Sequence, residues 1–101
     1  MSLQTPWQKE KMLDAGYFAY RSHGGWYYCK QLPKLLPICE CNDKCVQLVV
    51  FPYDETVEVE ISGERNKIWY KLQSYAVLRE HFLRRLPEIE AQLIAAWGAL
   101  K

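Results

Sequence analysis

Four cysteines are the residues whose types and spacing come nearest to a chemical site. Cys39, Cys41 and Cys45 lie within seven residues of one another, and Cys29 precedes them by ten. Four thiolates that meet at one point can bind a structural zinc ion. However, the spacing differs from paired C-x2-C, and the two cysteines of a C-x-C pair point to opposite faces of an extended segment. Reduced thiols are therefore the leading interpretation, with a four-cysteine zinc site and a disulfide or redox pair as alternatives.

Nucleophilic catalysis by one of these thiols would need a neighbouring base that generates thiolate. Two histidines are available, His23 in a glycine-containing turn and His81 in a helical segment, but neither belongs to a recognisable Cys/His pattern. Glu58 and Glu60 share one face of a predicted strand, where solvated carboxylates are far more common than acid–base pairs. The sequence also has no phosphate-binding loop, metalloprotease helix or nucleophile elbow. We therefore predict that the chain is not an enzyme.

Aromatic residues are concentrated between residues 17 and 28, on two predicted strands. Alternate residues of a strand point to opposite faces, so about half of these rings belong in a core and the remainder on a surface. Surface rings can bind a protein partner, or they can stack on the bases of single-stranded nucleic acid. Basic residues of the C-terminal helical region complete the candidate set. The predicted partner-binding residues are Tyr20, Trp26, Tyr28, Arg79 and Arg84.

The composition is that of an ordinary globular domain, with 101 residues, 50% hydrophobic and 25% charged. The net charge of +1 is unevenly distributed, at +3 over residues 1–38, −6 over 39–64 and +4 over 65–101. A nearly neutral total argues against a general nucleic-acid-binding protein. There is no secretion-signal pattern and no apolar run long enough to cross a membrane, so we expect a cytoplasmic protein without membrane association.

The first half of the chain contains helix and hairpin signals. Thr5-Pro6 resembles a helix start and Gly16 a helix stop, which predicts a short helix over residues 7–15. Aromatic-rich segments at 17–22 and 26–31, joined by a glycine-containing connection, predict a β-hairpin. Residues 32–44 contain two prolines and are predicted to form a loop.

The second half changes from strand to helix periodicity. Residues 45–51 predict a central strand, and 56–62 alternate between apolar and polar side chains, with Val57, Val59 and Ile61 directed inward. A turn is predicted at 62–66 and a further strand at 67–72. From about residue 73 the apolar residues recur at helical spacing. Pro87 predicts a break or kink just before it, with a second helix starting there.

These elements predict one α+β domain over residues 1–101. Its antiparallel meander of four to five strands is packed on one face by two C-terminal helices, and a short helix precedes the sheet. The predicted function is a non-enzymatic interaction or accessory module that binds another protein or a second copy of itself. The alternative is a zinc-stabilised nucleic-acid-binding domain that uses the cysteine cluster and the aromatic hairpin.

Overall fold

The computed structural model of the protein describes residues 7–32, 46–65, 68–74 and 76–99. It has the predicted α+β architecture, with strands between a short N-terminal helix and a long C-terminal helix. In chain order the elements are α1 (Lys9–Asp14), β1 (Phe18–Ser22), β2 (Gly25–Gln31), β3 (Gln47–Pro52), β4 (Thr56–Arg65), β5 (Ile68–Gln73), β6 (Val77–Leu78) and α2 (Arg79–Gly98).

The strands form an antiparallel meander in the order β1-β2-β3-β4-β5, as the sequence predicts. The short strand β6 pairs with the start of β4, so β5 and β6 follow one another along the same side of that strand. The β1–β2 register places Tyr20 opposite Tyr27, and β3 lies between β2 and β4. This register decides which side chains meet on each face of the sheet.

One face of the sheet, here called the inner face, is covered by both helices. Val57, Val59 and Ile61 are fully buried on this face, which confirms the predicted alternation of β4. Helix α2 contributes a continuous apolar stripe, and α1 contributes Met12, which is also fully buried. The stripe of α2 consists of Phe82, Leu86, Ile89, Leu93 and Trp97.

The predicted break at Pro87 is wrong, because α2 runs unbroken from Arg79 to Gly98. Proline lacks the amide hydrogen that would bond to the carbonyl of Leu83, and in a helix interior this costs about 3 kcal/mol. Pro87 is exposed, so its ring points toward water, where the Leu83 carbonyl can be solvated and the helix can curve around the core. Burial of the apolar stripe on both sides of Pro87 offsets the local cost.

The turn predicted at 62–66 is also misplaced, since β4 continues to Arg65. Gly63 allows this extension, because it lies on the inner face against Val46 and Trp97, where an added Cβ would be only 3.0–3.3 Å from their atoms. Ser62 is 1% exposed rather than solvated, and the register places it between the longer side chains of Gln47 and Lys71. Gly16 ends α1 with a φ of 96°, as predicted.

Several sequence predictions concern residues outside the described ranges. They are the Thr5-Pro6 helix start, most of the loop at 32–44, and the sites of Cys39, Cys41 and Cys45. Among the described helices, none combines the length and apolar composition required to span a membrane.

Candidate functional site

The other face of the sheet, here called the outer face, presents stacked aromatic rings. Tyr20 and Tyr27 stack with ring centroids 5.7 Å apart and planes inclined by 24°. Tyr27 and Phe51 continue the stack at 6.1 Å and 27°. Phe18 lies on the same strand and face as Tyr20. We call these four residues the aromatic face.

Strand alternation and register explain why the rings meet. Phe18 and Tyr20 are two residues apart on β1, so both point to the outer face. The β1–β2 hairpin pairs Tyr20 directly with Tyr27, and the β2–β3 register brings Phe51 beside Tyr27. Cross-strand aromatic pairs of this kind stabilise a sheet and fix the orientation of the rings.

The aromatic face borders an open groove of about 960 Å³. Phe18 is 64% exposed and Tyr20 is 47% exposed, whereas Tyr27 and Phe51 are half-buried. Cys29 and the buried Val49 lie in the same row as Phe18, beside Tyr27 and Phe51, and also line the groove. The volume is within the usual range of ligand-binding clefts, but the shape is a shallow surface rather than an enclosed pocket.

Two carboxylates of β4 lie beside the β3 residues that line the groove. Glu58 pairs with Phe51, and Glu60 pairs with Val49, so both glutamates point to the outer face beside apolar residues of β3. Both are half-buried. Neither forms a salt bridge with another residue in the described part of the chain.

Cys29 is a protonated thiol at neutral pH. Burial, with a smaller contribution from the negative charge of Glu60, raises the pKa of Cys29 to about 11. A thiol of this pKa is a poor nucleophile at pH 7, because thiolate is the reactive form. Within the described ranges, no group of three or more His, Cys, Asp or Glu residues could hold a metal ion. The four-cysteine zinc site stays a prediction, since its other three ligands lie outside those ranges.

Of the five predicted partner-binding residues, Tyr20 lies on the aromatic face. Tyr28 is fully buried on the inner face, where its hydroxyl donates a hydrogen bond to the carbonyl of Trp7, so we remove it from the set. Trp26 is half-buried on the opposite face from Tyr20, with the Arg21 guanidinium 5.9 Å from its ring centroid.

The two predicted basic residues are also distant from the aromatic face, because both belong to α2. The guanidinium of Arg79 lies 5.3 Å from the ring centroid of Trp7. Arg84 is exposed, and its Nη2 lies 2.9 Å from Nδ1 of His81. The structure therefore does not bring the five residues into one site.

Three residues of the aromatic face are absent from the sequence-derived set, namely Phe18, Tyr27 and Phe51. The signal for Phe18 was present, because it lies two positions before Tyr20 on a predicted strand. To identify Tyr27, one needs the strand register of the β1–β2 hairpin. To identify Phe51, one needs the pairing of β2 with β3, which are separated in the sequence by residues 32–46. The residue pattern within one strand does not reveal which residues of a neighbouring strand lie opposite it.

Comparison with known proteins gives no family, since no protein-family model, curated protein or solved structure matches the chain significantly.

Proposed function

We propose that the chain is a non-enzymatic interaction module that binds a segment of another protein on the aromatic face. The observation that supports this most directly is the position of the stacked rings. They lie on the outer face, whereas α1 and α2 both pack on the inner face. Exposed apolar side chains that are grouped on one face, rather than scattered singly, are typical of an interaction site.

The rings are also arranged for binding at low entropic cost. Tyr27 is half-buried and stacks on both Tyr20 and Phe51, so its orientation is fixed before a partner arrives. A binding surface that is already ordered loses little side-chain freedom on association. Tyrosine and phenylalanine add large contact areas with few rotatable bonds, which is why aromatic residues are enriched at interfaces.

Aromatic residues on a sheet face can also stack on single-stranded bases, so nucleic acid is the competing occupant. Phosphates require nearby cations, but the groups nearest the rings on β4 are the carboxylates of Glu58 and Glu60. The basic residues of the hairpin point away, with Arg21 stacked on Trp26 and Lys30 paired with Glu90. This charge distribution favours a protein segment over nucleic acid.

A second copy of the chain is a less suitable occupant than a different protein. Face-to-face pairing of two copies would bring two Glu58 and two Glu60 side chains into one interface. Lys71 is a basic residue of the outer face, but it lies on β5, beyond β4 from the rings. Like charges placed together in a desolvated interface are unfavourable, so the carboxylates disfavour self-association.

Selection from a random library of peptides of about 12 residues, which reach about 40 Å when extended, tests the proposal. The affinities of peptides selected on the wild-type chain are then measured for Phe18→Ser and Tyr20→Ser, which alter the two most exposed rings of the aromatic face. We expect each substitution to weaken binding about tenfold, as truncation of an aromatic anchor does at other interfaces. Leu13→Ser is the matched control, because Leu13 is also an exposed apolar residue but lies on α1.

Equal affinity for the wild-type chain and both ring variants would contradict the proposal, provided that all variants melt as the wild type does. Sedimentation of the free chain adds a second discriminating result. A dimer that Phe18→Ser dissociates would show that the occupant is a second copy, and the assignment to a different protein would then be overturned. A monomer agrees with the proposal.

A further inference from the structure

We infer that the partner segment contains a lysine or arginine close to its apolar anchor residues, and that Glu58 and Glu60 bind this cation. The inference rests on the proposed function, because it names the chemistry of the segment that the aromatic face binds. It adds an acidic subsite to the apolar one and so predicts a sequence pattern in the partner.

The sheet register places one glutamate of β4 in each of the two rows of outer-face side chains that contain the rings. The first row runs from Tyr20 through Tyr27 and Phe51 to Glu58. The second row runs from Phe18 through Cys29 and Val49 to Glu60. A segment that crosses the strands from β1 toward β4 therefore meets apolar side chains first and a carboxylate last.

The two glutamates are positioned to be covered by the same partner as the rings. Both are half-buried before any partner binds. The β3–β4 register places Glu60 opposite Val49, which lines the groove beside Cys29, and the charge of Glu60 adds to burial in raising the pKa of the Cys29 thiol. A partner lying on the rings would remove more water from these groups, and a buried carboxylate without a cation is strongly unfavourable.

Neither glutamate has its charge satisfied inside the described part of the chain, since no salt bridge there includes Glu58 or Glu60. Exposed acidic residues of the described ranges, such as Glu10 and Glu55, also lack a salt bridge, but water can solvate them fully, whereas the partly buried Glu90 is paired. Glu90 lies 3.5 Å from Lys30, and Glu88 lies 3.7 Å from Arg85. Charge complementarity therefore selects a cationic partner for Glu58 and Glu60.

The spacing between subsites predicts the spacing in the partner. Neighbouring strands are about 4.8 Å apart, so about 10 Å separates the backbone positions of Tyr27 and Glu58, two strands apart. An extended chain advances about 3.3 Å per residue, which places the cation roughly three positions from the apolar anchor. A segment anchored at Tyr20, one strand further away, needs roughly four positions.

Parallel peptide selections on three forms of the chain test the inference. The forms are the wild type, the double variant Glu58→Gln/Glu60→Gln, and the control Glu10→Gln/Glu55→Gln. The control makes the same change in net charge at exposed positions of α1 and the β3–β4 turn. We expect wild-type and control selections to enrich lysine or arginine at this spacing, and the Glu58/Glu60 variant to retain only the apolar preference.

Affinities of the selected peptides supply a second readout. We expect Glu58→Gln/Glu60→Gln to weaken binding about tenfold and the control to leave it unchanged. The wild-type affinity should fall as ionic strength rises from about 0.1 to 1 M, where the Debye length shortens from about 10 to about 3 Å. Replacing the lysine or arginine of the peptide by glutamine should also lower its affinity for the wild-type chain about tenfold. The same replacement should not change its affinity for the Glu58→Gln/Glu60→Gln variant.

Failure of this inference can be distinguished from failure of the proposed function. Peptides without a conserved cation, which lose affinity on Phe18→Ser but not on Glu58→Gln/Glu60→Gln, would overturn the acidic subsite and leave the aromatic face as the binding site. Peptides that are insensitive to Phe18→Ser and Tyr20→Ser would overturn the binding face itself, and the acidic subsite with it.

Discussion

Tyr17, directly before β1, is connected to helix α2 by one partly buried hydrogen bond. Its hydroxyl donates to Oε2 of Glu90 at 2.6 Å, and Nζ of Lys30 lies 3.5 Å from the same oxygen. Lys30 also lies over the Tyr17 ring, 5.5 Å from its centroid. Burial, followed by the hydrogen bond to Glu90, raises the pKa of Tyr17 well above its ordinary value. The fold therefore stabilises the neutral phenol.

Tyr17→Phe should lower the free energy of unfolding by about 2 kcal/mol, the usual value for a hydrogen bond to a charged group. Denaturant titration at neutral pH measures the change. Tyr20→Phe is the control, since Tyr20 is exposed on the aromatic face, and it should change stability by less than about 0.5 kcal/mol.

The same pair of variants gives a pH test. Because the folded-state pKa of Tyr17 is raised, its stabilising contribution is complete below about pH 10 and is lost above it, as the unfolded chain ionises. One such group contributes a slope of about 1.4 kcal/mol per pH unit. Wild type and Tyr20→Phe should therefore lose stability above pH 10 more steeply than Tyr17→Phe, and parallel profiles would contradict this account of Tyr17.

Gly63 is a second residue whose role is decided by contacts. A Cβ added there would lie 3.0 Å from Cα of Val46 and 3.3 Å from Cη2 of Trp97. Gly63→Ala should destabilise the fold by about 1–3 kcal/mol, because the nearest atom is backbone and cannot rotate away. Gly24→Ala is the control, since a Cβ added at Gly24 would have no heavy atom within 4 Å other than those of its chain neighbours. Equal melting temperatures for the two variants would contradict the predicted contact.

At the scale of whole elements, most of the fold could be predicted from local patterns. Strand alternation correctly placed Val57, Val59 and Ile61 in the core, and aromatic content correctly located the β1–β2 hairpin. The break at Pro87 was wrong because a local penalty was weighed without the packing of α2 along its whole length. The helix propensity of proline does not include the free energy gained when the apolar stripe of α2 packs on the sheet.

Pro87→Ala tests the interpretation that α2 tolerates an unfavourable residue. Alanine restores the amide donor, and Pro87 is exposed and outside the buried apolar stripe of α2, so little packing is lost. The substitution should raise the free energy of unfolding by about 1–3 kcal/mol, up to the full difference in helix propensity. The control Gln92→Ala, at another exposed position of α2, should change it by less than about 0.5 kcal/mol. Lower stability of Pro87→Ala would mean that proline is required at this position.

At the scale of the whole molecule, the division between a packed inner face and an aromatic outer face has the most functional importance. Sequence patterns predicted that helices cover one side of the sheet and that about half of the aromatic rings are elsewhere. They could not predict that Tyr20, Tyr27 and Phe51 stack on one another, because this depends on two strand registers. Nor could they place Glu58 and Glu60 beside those rings, since that position depends on the pairing of β3 with β4.

The most direct test of the central claim is a map of backbone amide chemical shifts as a selected peptide is titrated into the wild-type chain. Binding on the aromatic face predicts shift changes concentrated in β1, β2 and β3, with smaller changes near Glu58 and Glu60. The amides of α1 and of the exposed side of α2 should stay unchanged. Changes centred on α2 around Arg79 and Arg84, with β1 to β3 unaffected, would contradict the claim and place the binding surface on the helical side of the molecule.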